Sequence, residues 1–386
     1  MLISRIRLKN WRNFRDLDVP LREVSYLLGP NASGKSNFLD VFRFLRDVGR
    51  PGGGGLQAAI EKRDGISKLR CLHARRDPEV VVDVELSETA DGPVQWRYVL
   101  GFKSEGKGAQ RVLVSREEVW RGEDKLLSRP GHGDHGDSDL LTQTHLEQIQ
   151  ANKDFRDLAT FFSNTTYQHL VPQLLKYSEK IGGRQLADDP YGQGFLERVA
   201  KATDKTRKGR LDKISMALSK AVPQFELLRF VQDPISGRPH LEALYHHHRP
   251  HAGWQSEEHF SDGTLRLIGL LWSLLDGNSM LLLEEPELSL NDAIVREIPL
   301  LIDQLQRTRK VKRQIVVSTH SEVLLSNPGI DGRGVVILEP SAEGTSARTL
   351  REEESKALDD GLSIAEVVLP KTRPEKATEL GQLKLW

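Results

Sequence analysis

The chain has 386 residues, enough for two lobes or for one domain carrying a large insertion. Apolar residues make up 38% and charged residues 28%, and the formal charge is zero, so no global field draws the chain onto nucleic acid or anionic lipid. A single cysteine, Cys71, excludes an internal disulfide framework and a CxxC…CxxC zinc site, and no apolar run has signal-peptide or membrane-span length. The expectation is a soluble, cytoplasmic protein with no membrane association, on which any nucleic-acid surface must be local.

In chain order, "LISRIRL" and "LDVPL" flank "KNWRNFRD" and predict two short strands joined by a turn. "VSYLLG" predicts a buried strand, and Phe38, Leu39, Val41, Phe42 and Leu45 fall at helical spacing behind it. "RPGGGG" ends that helix in a loop. From residue 80 to about 129, "VVVDVELS", "VQWRYVLGF" and "RVLVSREEVW" alternate with period two and predict an antiparallel meander. Residues 144–222 read as mainly helical, with Leu211, Ile214, Leu218 and Val222 on one face. A hairpin follows around Pro234 and Gly237, then a helix ("TLRLIGLLWSLL"), a strand ("MLLLEE"), a helix ("AIVREIPLLIDQLQR") and a strand ("QIVVSTH"). A last strand, "GVVILEP", leads into a polar tail. Strands alternating with helices at both ends predict an α/β protein: a mostly parallel sheet interrupted by an antiparallel β lobe and a helical lobe. The divisions expected are 1–140, 141–225 and 226–386.

Four stretches carry chemistry. In "YLLGPNASGKSNFLD", Gly29, Gly34, Lys35 and Ser36 satisfy the spacing of a phosphate-binding loop between a buried strand and an amphipathic helix. The glycines let the backbone bend around phosphate oxygens, Lys35 supplies a cation to them, and the Ser36 hydroxyl can ligate Mg²⁺. In "MLLLEEPELSLND", an apolar strand delivers Glu284 and Glu285 to the edge where parallel sheets bind ligands. Strand alternation would separate their roles, with Glu284 holding Mg²⁺ through water and Glu285 orienting or deprotonating an attacking water. A solvated acidic strand end is the minority alternative for that stretch taken alone. "QIVVSTHSE" ends another strand at His320, which suits a γ-phosphate sensor, although a lone histidine is more often a satisfied polar group. In "HFSDGTLRLIG", Ser261, Asp262 and Gly263 precede an apolar helix. They can be an ordinary N-cap, or an anion-binding tip for ATP held by a second subunit.

The order of these stretches resembles the ABC-class ATPases, specifically the RecF/SMC/OLD-like branch often labelled AAA-type predicted ATPases. "LKNWRNFRD" looks like the opening hairpin of that family, "GPNASGKS" its Walker A, "FSDGT" its signature, "LLLEEPE" its Walker B, "SLND" its D-loop and "STHS" its H-loop. The resemblance implies ATP and Mg²⁺ as cofactors and ATP hydrolysis as the reaction. It implies nucleotide contacts from Gly29, Asn31, Ser33, Gly34, Lys35, Ser36 and Asn37, and a head-to-tail homodimer in which Ser261 and Gly263 meet the partner's γ-phosphate. Glu285 would be the catalytic base, His320 the sensor, and Ser36 and Glu284 the metal side. A Q-loop glutamine should join the lobes and reach the metal, and "THLEQIQANKDF" suggests Gln148, with Gln143 as alternate.

Glu284 stands where most of the class carries aspartate, and there is no long coiled coil. No acidic nuclease cluster follows His320; "REEES" and "LDD" read as a solvated tail rather than a metal site. If the chain cooperates with a nuclease, as the resemblance to OLD-like systems implies, that activity is expected in another chain. The function expected first is an ATP-driven dimerisation switch acting with DNA or a nucleic-acid-processing partner, in DNA repair or anti-phage defence. A separately encoded nuclease or effector protein is a further partner class. The alternative is a sensor subunit controlling a separate toxic effector without direct DNA binding. The "YHHHRPH" stretch (His246, His247, His248, His251) reads as a polar hairpin surface, and "KATDKTRKGRLDK" and "RTRKVKR" divide evenly between solvated face and phosphate contact. A transporter motor is disfavoured by the long spacing from Lys35 to Ser261. A small-molecule kinase needs neither the S-D-G helix start nor His320. A sensor subunit restraining a toxic effector shares every motif with a DNA-linked switch.

Overall fold

The computed structural model describes residues 1–74, 77–106, 111–134, 136–177, 189–246, 253–309 and 312–372. The opening hairpin is β1 (Leu2–Trp11) and β2 (Phe14–Pro20), so "KNW" extends the first strand and only Arg12 and Asn13 turn. With β4 (Val80–Ser87), β5 (Val94–Ser104), β6 (Val112–Arg121) and β7 (Asp124–Arg129) it forms an antiparallel sheet in the order β2-β1-β4-β5-β6-β7.

The second large sheet runs β15-β14-β3-β13-β12-β8. Its strands are β3 (Val24–Leu28), β8 (Thr166–Gln168), β12 (Leu281–Glu284), β13 (Ile315–Ser318), β14 (Val335–Ser341) and β15 (Gly344–Arg348). All neighbours are parallel except the β14–β15 hairpin. Parallel strands covered on both faces need apolar residues at successive positions, and Leu281, Leu282 and Leu283 are all buried. Alternation assigns Leu27, Leu282, Val316 and Val336 to a core shared with the Lys35–Gly49 helix and the antiparallel sheet. Tyr26, Leu281, Leu283 and Val317 face a second core with Ile298, Ile302, Ile364 and Val368. The register sets Glu284 opposite Ser318 and Ser318 opposite Leu27, so three strands end together at one edge.

A third core joins the Phe195–Lys201 and Asp204–Ala221 helices to a small sheet of β9 (Phe225–Gln232), β10 (Pro239–Tyr245) and β11 (Gln255–Ser256). The Asp262–Leu275 helix serves both of the last two cores: Leu270 and Leu274 in one, Leu265, Ile268 and Trp272 in the other. That double duty is why it is apolar nearly all round.

Two expectations are corrected. The helical reading of 144–222 missed β8, an edge strand of the core sheet parallel to β12. The supposed polar tail folds back as β15 and the Glu352–Asp359 and Ile364–Thr372 helices. Glu354 of "REEES" is buried against Arg348 and Lys371 at 2.7 and 2.8 Å, because Ile364, Val367 and Val368 bring the last helix onto the core. Among the described residues, no helix is long and apolar enough to cross a membrane and no cluster of metal-ligating side chains forms. His246 is exposed, while His247, His248 and His251 lie outside the described residues.

Candidate nucleotide site

The phosphate loop leaves β3 at Gly29 and enters the Lys35–Gly49 helix through Gly34, whose φ is 98° and which offers no side-chain cap. The helix's first N–H groups therefore stay available to an anion. A Cβ on Gly34 would lie 2.2 Å from Nδ2 of Asn13, and one on Gly29 would lie 2.5 Å from Oγ of Ser33. Asn13 explains the first of these crowdings. Its Nδ2 donates to the Ser33 carbonyl at 2.9 Å and to Thr345 Oγ1 at 2.8 Å, and its Oδ1 accepts from Asn37 Nδ2 at 2.8 Å. The β1–β2 turn is thus stapled over the loop. Trp11 adds an indole N–H to the Asn37 carbonyl at 2.9 Å.

Lys35 turns its ammonium onto the loop's own carbonyls, Gly29 at 2.9 Å and Pro30 at 3.2 Å. Burial pushes its pKa down, opposed by the nearby Glu285, Glu284 and Glu287 carboxylates. Ser36 donates its hydroxyl to one oxygen of Glu284, and Tyr167 of β8 donates its phenol to the other. Asn31 is exposed, whereas the Ser33 hydroxyl is buried without a hydrogen-bond partner.

Glu285 leaves the strand at a left-handed φ of 45°, its N–H donating to the Ser318 carbonyl at 2.9 Å. This kink, rather than strand alternation, separates the two glutamates. Glu284 turns to Ser36, while Glu285 Oε1 sits 3.1 Å from Nδ1 of His320. Beneath them Thr319 donates to Glu287 Oε1 at 2.5 Å, and the Glu287 Oε2 is buried and unpartnered. Burial raises the pKa of Glu287.

Ser261 is exposed and caps the Asp262–Leu275 helix, its Oγ accepting from the Thr264 N–H at 3.1 Å. Behind it the tip is braced. Gln173 donates to Asp262 Oδ2 at 2.6 Å, Lys176 donates to the Phe260 carbonyl at 2.8 Å, and a Cβ on Gly263 would lie 2.7 Å from the Ser289 carbonyl. No described hydrogen bond or ion pair joins residues 261–263 to the phosphate loop.

The structure therefore gathers Lys35, Ser36, Glu284, Glu285 and His320 at one sheet edge and presents Ser261 and Gly263 on a separate tip. It does not bring Gln148 to that edge. Gln148 donates to Gln143 at 3.2 Å, in a turn that packs on the meander through the Glu117 carboxylate. The glutamine that ends a core strand is Gln168; it lines a small cavity with Glu284 and Glu285, but its carboxamide accepts from Ser273 rather than meeting Ser36 or Glu284. Among the described residues no glutamine hydrogen-bonds Ser36 or Glu284. Sequence reasoning also missed Asn13, Tyr167 and Glu287. The aromatic and β-branched "TTYQ" run was the one signal for β8.

These residues suit a nucleotide with Mg²⁺. A buried unpaired Ser33 hydroxyl and a lysine parked on backbone carbonyls await a polyanion, and a serine hydroxyl beside a carboxylate is a hard oxygen donor set.

Residues 24–326 match the model of the family described as "AAA domain, putative AbiEii toxin, Type IV TA system". The chain belongs to this family of P-loop ATPases. No curated protein matches it. Among solved structures, the SmcHead bound to the C-winged helix domain of ScpA is similar, with a TM-score of 0.55 at 16% identity, covering 92% of this chain and 100% of that one. The Smc head domain from Pyrococcus furiosus, with an extended coiled coil and bound to the C-terminal domain of ScpA, gives 0.51 at 15%, covering 93% and 98%. At such identities the likeness concerns the fold, an SMC-head-like α/β architecture.

Proposed function

We propose that this chain is an ATP-binding and ATP-hydrolysing switch whose two copies close head to tail over two nucleotides. The observation that carries this reading is the Ser261–Gly263 tip: exposed at Ser261, braced from behind, and without a bond to its own phosphate loop. A second copy's triphosphate is the anion it is shaped to meet. Residues 1–140 and 226–386 would supply the two halves of the site, and 141–225 the lobe that steadies the tip.

Within each site Gly29 to Asn37 would wrap the phosphates, and Lys35 would exchange two carbonyl contacts for phosphate oxygens. Ser36 and, through water, Glu284 would hold Mg²⁺, which when bound would neutralise charge on the β- and γ-phosphates. Glu285 would accept a proton from the attacking water, and His320, held beside it, would contact the γ-phosphate.

The partner reading favoured is a separately encoded effector protein rather than a DNA track. The chain is neutral overall, and the "RTRKVKR" run spends Arg309 and Arg313 on carbonyls at the C-terminal end of the Asp262–Leu275 helix. Its Lys310 and Val311 lie outside the described residues. The family's toxin–antitoxin description points the same way.

Sedimentation of Glu285→Gln with ATP and Mg²⁺ tests the switch. The variant should bind ATP, lose about 10²–10⁴-fold in turnover and accumulate as a dimer. A monomer at saturating ATP, or unchanged hydrolysis, refutes the assignment.

A further inference from the structure

We propose that Tyr167 is a positioning residue for the metal side of the nucleotide site, fixing the Glu284 carboxylate through its phenol. This rests on the ATP-switch reading. Glutamate carries one more rotatable bond than aspartate, so a carboxylate at position 284 needs an external restraint to present one oxygen in a fixed place. Tyr167 supplies it. Each Glu284 oxygen accepts one hydroxyl, Ser36 on one side and Tyr167 on the other. The Ser36 contact must open to admit a metal ion and its water between hydroxyl and carboxylate. The Tyr167 contact need not.

The phenol is itself held firmly. Tyr167 is 7% exposed, its backbone is paired with Leu282 in β12, and the Arg43 guanidinium lies 4.3 Å over its ring. Its strand is also fastened to the helix that carries the Ser261 tip. The next residue, Gln168, accepts from Ser273, and the Leu170 carbonyl accepts from Arg266. A glutamine from another loop is therefore unnecessary at this edge, and none hydrogen-bonds Ser36 or Glu284 among the described residues.

The test is ATP binding by the full-length Tyr167→Phe chain, titrated with Mg²⁺ and, separately, in excess EDTA. Phenylalanine keeps the ring beneath Arg43 and removes one oxygen. ATP affinity in EDTA should stay within about twofold of wild type, while the Mg²⁺ concentration for half-maximal tightening rises about tenfold, the scale of one charge-assisted bond. In a Glu284→Ala background the same change should add nothing further, because no acceptor for the phenol remains. Wild-type Mg²⁺ dependence in Tyr167→Phe overturns the proposal and leaves the switch reading intact. A wild-type chain that binds no ATP in either condition overturns both.

Discussion

Removing the Asn13 side chain tests whether the β1–β2 turn holds the phosphate loop in shape. Asn13→Ala deletes hydrogen bonds to Ser33, Thr345 and Asn37, at 2.9, 2.8 and 2.8 Å. At about 0.5–1.5 kcal/mol net for each, and with Asn37 and Thr345 near enough to the surface to recruit water, the loss is about 2 kcal/mol. For a chain of 386 residues that corresponds to a fall of about 2–3 °C in Tm. The functional share is the Ser33 carbonyl bond, because it alone ties the loop backbone. Losing it should weaken ATP binding about tenfold, equivalent to about 1.4 kcal/mol. Asn13→Asp is the sharper variant. It keeps the acceptor for Asn37 but sets a carboxylate oxygen against the Ser33 carbonyl, so it should bind ATP more weakly than Asn13→Ala. Calorimetric melting and ATP titration of both variants decide the matter. Wild-type affinity in Asn13→Asp would show that the loop keeps its shape without the turn, and the argument would fail.

Ser261→Arg places a bulky cation on the exposed tip and should leave ATP binding by the monomer unchanged while abolishing ATP-linked association. Sedimentation reads this directly, and a dimer at wild-type ATP concentrations refutes the role given to the tip. Burial raises the Glu354 carboxyl, but bonds from Arg348, Lys371 and the Arg351 N–H outweigh it and hold the pKa down at about 2. A depressed carboxylate stabilises the fold above its unfolded value near 4.5, and that contribution fades as pH falls toward about 2. Glu354→Gln should cost about 1–3 kcal/mol at neutral pH, and its Tm gap to wild type should narrow as the medium is acidified through that window. A gap that stays constant refutes the linkage.

Much of the fold was legible because burial on both faces of a sheet writes itself into sequence. "VSYLL", "MLLLEE" and "QIVVS" are apolar at successive positions, and their ends carry Gly29, Glu284 and His320 to one edge. The phosphate loop and the Ser261 tip were legible for a related reason: each is a short local conformation with its own residue requirements. What stayed hidden depends on contacts between distant segments. Glu354 looks like part of an acidic tail until the Ile364–Thr372 helix folds back and brings Lys371 to it.

The glutamine expected at the metal shows the limit most clearly. A strand of only three residues inside a helical window has too little period to be recognised, and its register exists only once β12 is beside it. When the strand is in place, alternation allows only one of two adjacent side chains to face Ser36. Because Leu282 and its partner Tyr167 share the face of the Lys35–Gly49 helix, Gln168 must turn to Ser273 and the phenol must meet Glu284. Matching the letter alone would pick Gln168; the pleat turns the phenol of its neighbour Tyr167 to Glu284 and its own carboxamide to Ser273.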